Sequence, residues 1–135
     1  MNTKFNTNFT VYPTDANNMF PMIFGGAFFA QMDKAAATTV KRLLYGSDQC
    51  KACVTHKFEG TFHKPTYVGD LILMEATVES LGKKSVVVDV QAFREKDNEK
   101  ELVAEAKFVF VTIVNDADVA NKPDTLPYHN HGMVM

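Results

Sequence analysis

One stretch of this 135-residue chain repeats at helical period over any length. Phe28, Met32, Ala36, Val40 and Leu43 recur at helical spacing through residues 26–44, and Gly46 supplies the stop. Lys34, Lys41 and Arg42 fall on or beside its other faces, so the helix is amphipathic and must lay one stripe against something else. Everything after it changes period. Residues 51–62, 70–81, 85–94 and 102–114 are rich in Val, Ile, Thr and Phe and read as four strands. Residues 63–69 with Pro65, the 82–84 turn, and 95–101 with Asp97 and Asn98 separate them. Links this short favour antiparallel neighbours. Residues 8–13, closed by Pro13, read as a further strand, followed by a polar loop with Asp15, Asn17 and Asn18. The fold class is therefore α+β, one helix against five strands. Val86 to Val88 and Phe108 to Val111 are continuous apolar runs, which predicts strands covered on both faces. A single helix covers one face, and a second copy of the chain is the simplest cover for the other, so a homo-oligomer is expected.

Composition narrows the function classes. With 46% hydrophobic and 22% charged residues the chain can bury a core, and its eleven Phe, four Tyr and no Trp suit packing more than a base-stacking platform. Fourteen basic against sixteen acidic residues give a net charge of -2, so no overall field draws it to nucleic acid or anionic lipid. Its strongest apolar stretch, near residues 22–30, is interrupted by Gly25 and Gly26 and falls short of the roughly 20 residues that span a bilayer. Residues 1–8 are polar and lack the pattern of an export signal, so a cytoplasmic setting is expected. Cys50 and Cys53 form one C-x-x-C with His56 beyond it, but no second pair completes a zinc set. Strand alternation also turns the two cysteines to opposite faces, so they read as reduced thiols and no metal is expected. One domain over residues 1–115 and a tail over 116–135, which holds Pro123, Pro127, His129 and His131 without periodicity, complete the organisation.

Asp33 is the one ionisable residue that interrupts the helix beside its apolar stripe. Phe29 lies one turn before it and Ala36 and Ala37 one turn after, so two readings stand. Partly desolvated, it is a base or nucleophile; on a solvated face, it is a surface charge paired with Lys34 or Lys41. Gly25 and Gly26 open the helix. Without side chains they give a ligand access to free backbone N–H groups, where helix polarity can hold an oxyanion.

From residue 9 to 114 the order of motifs resembles the hotdog-fold acyl-CoA thioesterases. Asp15, Asn17 and Asn18 precede Phe24, Gly25 and Gly26; Gln31, Met32 and Asp33 follow on the helix; then come Lys64 and Pro65, and Val68, Gly69 and Asp70 opening a strand. Leu81, Gly82, Lys83, Lys84 and Ser85 resemble the family's turn beside bound CoA. The resemblance implies a five-stranded antiparallel sheet wrapped around one central helix, assembled as dimers or higher homo-oligomers, with acyl-CoA as substrate and no separate cofactor. It implies Asp33 as catalytic carboxylate, Asn18 positioning water or substrate, and Gly26, helped by Gly25, as oxyanion site. Lys83, Lys84 and Ser85 would meet the CoA phosphates. Phe20 and Pro21 depart from the family pattern, which usually has Asn-Gly there, and Lys83 replaces a bidentate Arg. His63 stands where an apolar residue is common and reads as a loop histidine. A noncatalytic hotdog module binding acyl-CoA or a protein partner is the alternative. Thioester dehydration ranks below both, for want of a His at the helix start.

Overall fold

A computed structural model of the chain describes residues 3–16, 21–23, 25–44 and 52–113. It contains β1 (Lys4–Thr10), α1 (Gly25–Leu44), β2 (Ala52–Phe62), β3 (Leu71–Leu81), β4 (Ser85–Lys96) and β5 (Glu99–Ile113). The strands form one antiparallel sheet in the order β1-β3-β4-β5-β2, leaving β1 and β2 as its edges. The helix lies across one face and touches all five strands, the hotdog arrangement.

Strict alternation makes that face. Ile72, Met74 and Ala76 of β3 and Val86, Val88, Val90 and Ala92 of β4 are buried, and every second residue between them is not. On α1 the buried set is Phe28, Met32, Ala35, Ala36, Thr39 and Val40, one helical stripe that meets Phe108 and Phe110 of β5 in the same core. Phe28 sits edge-on between Phe9 and Phe62, with ring centroids 5.4 and 5.6 Å away.

Three expectations need correction. The first strand runs Lys4–Thr10 rather than residues 8–13, because Phe5, Thr7 and Phe9 alternate with Lys4, Asn6 and Asn8, a weak signal in a polar sequence. Pro13 instead begins a short 3-10 turn, Pro13–Asp15. The turn-like separator at 95–101 is shorter than expected. Asp97 and Asn98 adopt positive φ of 53° and 65° and close a two-residue hairpin, so β4 and β5 pair right up to Lys96 and Glu99. Nor is the outer face a continuous apolar surface. Val87 pairs with Val109 there, but Asp89–Lys107 and Gln91–Glu105 come next, and Lys107 bonds Glu79 while Lys100 bonds Glu75. No helix among the described residues is long and apolar enough to cross a membrane.

Candidate functional site

The first half of α1 runs antiparallel to the edge strand β2. A Cβ on Gly25 would sit 3.5 Å from the Phe62 ring; one turn on, Phe29 meets Phe58 at 4.3 Å between centroids. One more turn on, the Thr55 hydroxyl donates a 2.7 Å hydrogen bond to Asp33 Oδ1. Gly26, Phe29 and Asp33 therefore share one helix face, since seven residues return to within about 20° of the starting direction.

A bulge makes this alignment. In a regular strand Thr55 and Phe58 point to opposite faces, but the β2–β5 register shifts between Thr55 and Lys57. Thr55 opposes Phe110 and Phe58 opposes Phe108, both inward-facing residues, so His56 absorbs the extra step. Sequence reasoning missed Thr55 for that reason. A hydroxyl residue on the strand facing the helix was the available signal, but alternation counted back from Phe58 turns it away.

Asp33 is half-buried. Among the described residues its partner is Thr55 and not Lys34 or Lys41, which sets aside the solvated ion-pair reading. Nearer the helix start, an apolar cavity of about 310 Å³ is lined by Gly25, Gly26, Phe29, Met32, Phe58 and Phe62. Its floor is sheet backbone. Gly60 opposes Ala106, and a Cβ on Gly60 would lie 2.9 Å from both the Ala106 Cβ and the Glu105 carbonyl oxygen, so any side chain there forces the strands apart. Gly26 has open space where its Cβ would be.

The remaining site residues divide. Gly25 and Gly26 lie in the first turn of α1 on the same face as Asp33, but seven residues of helix, roughly 10 Å, separate Gly26 from it. Lys83, Lys84 and Ser85 form the β3–β4 turn, tied by Gly82 N–H to Ser85 C=O (2.8 Å) and Thr112 N–H to Lys84 C=O (2.9 Å). Their end of the sheet is the Thr55 end, since Thr55 pairs with Phe110 and Phe110 with Val86. Two strand spacings, about 10 Å, lie between. Asn18 and Phe24 lie outside the described residues, as do Asn17, Phe20, Cys50 and the 116–135 tail. His63 Nε2 meets Glu105 at 2.7 Å, a partner that suits a structural histidine. Asp70 takes the Tyr67 N–H at 2.8 Å, and Gly69 supplies the positive φ, 96°, of that turn, so this motif shapes a loop. Among the described residues no group of three or more His, Cys, Asp or Glu is placed to hold a metal ion.

Known proteins are similar to this chain in sequence and fold. Over 111 residues the chain is 31% identical to the acyl-CoA thioester hydrolase YciA of Escherichia coli, covering 78% of this chain and 77% of that protein. It is 33% identical over 110 residues to an uncharacterized acyl-CoA thioester hydrolase of Buchnera aphidicola, covering 77% and 75%. An acyl-CoA hydrolase variant from Staphylococcus aureus, solved with coenzyme A, superposes with a TM-score of 0.75 at 28% identity; the match covers 83% of this chain and 65% of that one. A hexameric thioesterase from Yersinia pestis superposes at 0.70 and 28% identity, covering 82% and 87%. The family model described as the thioesterase superfamily matches residues 20–101, more than half the chain, and so the chain belongs to the thioesterase superfamily.

Proposed function

We propose that the chain hydrolyses an acyl-CoA thioester to CoA and a free carboxylic acid. The observation that carries this reading is the Asp33 carboxylate, fixed by Thr55 at 2.7 Å one helix turn beyond Phe29, which lines an apolar cavity at the helix N-terminus. Asp33 acts as general base on water or as nucleophile; either way oxygen adds to the thioester carbon, the carbonyl becomes an oxyanion, and collapse expels CoA as thiolate, which takes a proton; where Asp33 is the nucleophile, water then hydrolyses the acyl–aspartyl anhydride, freeing the acid and restoring the carboxylate. The acyl chain occupies the cavity, and the Gly26 N–H holds the oxyanion. Asn18 positions water or substrate, and Lys83, Lys84 and Ser85 hold CoA phosphates. The relatives support this: those from Escherichia coli and Buchnera aphidicola are named acyl-CoA thioester hydrolases, and the Staphylococcus aureus acyl-CoA hydrolase was solved as alanine variants of an asparagine, an aspartate and a threonine, the residue types of Asn18, Asp33 and Thr55.

Geometry adds a requirement. A reacting carbonyl must lie about 3 Å from both the attacking group and the oxyanion donor, and two helix turns separate these within one chain. Two copies solve this. β2 is an open edge with Phe58 and Phe62 55% and 54% exposed, ready to pair with another β2. An antiparallel β2–β2 pair centred on Glu59 keeps Phe58 opposite Gly60 on the inward face and, across the bulge at His56, sets Thr55 of one chain opposite Phe62 of the other. The oxyanion turn of the second chain then meets Asp33 of the first. In this reading each site in a dimer draws on both chains.

CoA release across short, medium, long and aromatic acyl-CoAs tests the activity. Asp33→Asn, which keeps the shape and deletes the base, should lower kcat by about 10² to 10⁴ without changing assembly. Near-parental turnover in that variant, or no turnover by the parent despite CoA binding, sinks the proposal; the second result favours a noncatalytic module. Mixing separates one-chain from two-chain sites. Asp33→Asn and Gly26→Val should each be nearly inactive alone, but refolded together they should regain about one quarter of parental activity, because half the dimers then carry one intact site. No recovery would refute the two-chain site.

A further inference from the structure

Arg94 sits near the end of β4 on the helix-facing side, in register with Ile72, where its side chain is only 18% exposed. Burying a guanidinium costs energy unless its donors are used, and here they are. Nη1 donates to the Pro65 carbonyl at 3.1 Å and to Asp70 Oδ2 at 3.3 Å, and Nη2 to Glu101 Oε1 at 2.5 Å. Burial works against the charge, but the bonds to Glu101 and Asp70 outweigh it and hold the pKa above the usual arginine value. Lys64 completes the set through Glu101 at 3.4 Å.

Two of those acceptors belong to the 63–70 loop, and that loop carries the approach to the helix. Ile23 N–H donates to the Thr66 carbonyl at 3.0 Å and Val68 N–H to the Pro21 carbonyl at 2.7 Å, while Met22 bridges to Tyr67. Ile23 stands two residues before Gly25. Thr66 in this loop is 2% exposed, and among the described residues its hydroxyl has no hydrogen-bond partner, an unmet polar group that burdens the loop.

We infer that Arg94 is a positioning residue for thioester hydrolysis, holding the 63–70 loop so that residues 21–23 deliver the first turn of α1 at the height where its N–H groups receive the oxyanion. This rests on the hydrolase reading above. Arg94 touches no substrate. It acts through Pro65 and Asp70, then the loop, then Ile23, and a misplacement of an ångström at the helix start is enough to lose much of the oxyanion stabilisation.

The test compares Arg94→Met, Arg94→Lys and Lys100→Met in the full chain, well below their melting temperatures. Lys100 bridges β5 to Glu75 of β3 at 2.9 Å on the outer face, an ion pair between strands that makes no hydrogen bond to the loop among the described residues. Arg94→Met should lower kcat about tenfold with KM within about twofold, Arg94→Lys should recover part of it, and Lys100→Met should leave kcat unchanged. Amide exchange at Ile23 and Val68 should speed up in Arg94→Met and not in Lys100→Met. An unchanged kcat in Arg94→Met, or an equal loss in Lys100→Met, overturns the inference by reducing Arg94 to a general stabiliser. Failure of the hydrolase reading looks different: the unmutated protein then releases no CoA, and the role of Arg94 falls with it.

Discussion

The two halves of α1 come from one amphipathic stripe and end in different environments. The C-terminal half buries Ala35, Ala36, Thr39 and Val40 to 2% exposure or less, in a core with β3 and β4, and the Thr39 hydroxyl bonds back to the Ala35 carbonyl at 2.8 Å. Arg42 closes it over the Phe5 ring at 5.1 Å. The N-terminal half also buries Phe28 and Met32, but its other flank, Gly25, Gly26 and Phe29, faces an open cavity at the sheet edge beside two exposed phenylalanines, and it begins with two exposed glycines. Glycine is a poor helix former, by about 1 kcal/mol per residue relative to alanine, so this half leans on the packed half for its order. Stability and chemistry are thus segregated along one helix, and substitutions in the two halves should dissociate.

The largest expected effect falls on the packed half. Val40→Ala removes two methyl groups from a site with no solvent exposure and should cost about 2 kcal/mol, lowering Tm by several degrees. Measured at low temperature, kcat/KM should stay within about twofold of the parent. A tenfold loss of kcat in this variant breaks the segregation.

The opposite dissociation belongs to the edge half. Thr55→Val keeps volume and strand propensity but deletes the hydroxyl that holds Asp33. It should lower kcat about tenfold, about 1.4 kcal/mol of barrier, with Tm nearly unchanged, and Thr55→Ser should restore most of the loss. A Tm loss as large as that of Val40→Ala, with kcat intact, would make Thr55 a packing residue and leave Asp33 oriented by its helix alone.

What the sequence could show follows the same division. The packed half and the central strands announce themselves by period, 3.6 in α1 and 2 in Ile72-Met74-Ala76 and Val86-Val88-Val90, because burial on one face imposes it. Asp33 was legible as the one charge beside that stripe, and Gly25–Gly26 as its opening. Thr55 was not, because its facing depends on a bulge at His56 that local composition does not encode. β1 was misplaced because its Asn and Lys residues carry little strand signal; the turn at Asp97 and Asn98 was legible, but charged residues on both arms made the strands beside it look shorter than they are. Apolar runs at Val86–Val88 and Phe108–Val111 overstated outer coverage, since the next pairs outward, Asp89–Lys107 and Gln91–Glu105, are polar. The case for a second chain moves from that face to the β2 edge.

That outer face gives the smallest expected effect and a baseline for the other two, because neither half of α1 packs against it. Burial, then the neighbouring Glu79, raises the Asp89 carboxyl above its usual pKa, and Lys107 at 4.0 Å offsets only part of this. A carboxyl whose pKa is raised on folding weakens the fold while charged, and the penalty disappears as pH falls through the raised value and the group takes up its proton. Asp89→Asn should therefore raise Tm slightly at pH 7, and the gain should shrink on acidification, with kcat unchanged at both ends. The side chain is 45% exposed, so solvent screening keeps the effect small. A lower Tm at pH 7 would mean that the Lys107 pairing outweighs burial and Glu79, and a change in kcat would mean that the outer face communicates with the site through the sheet.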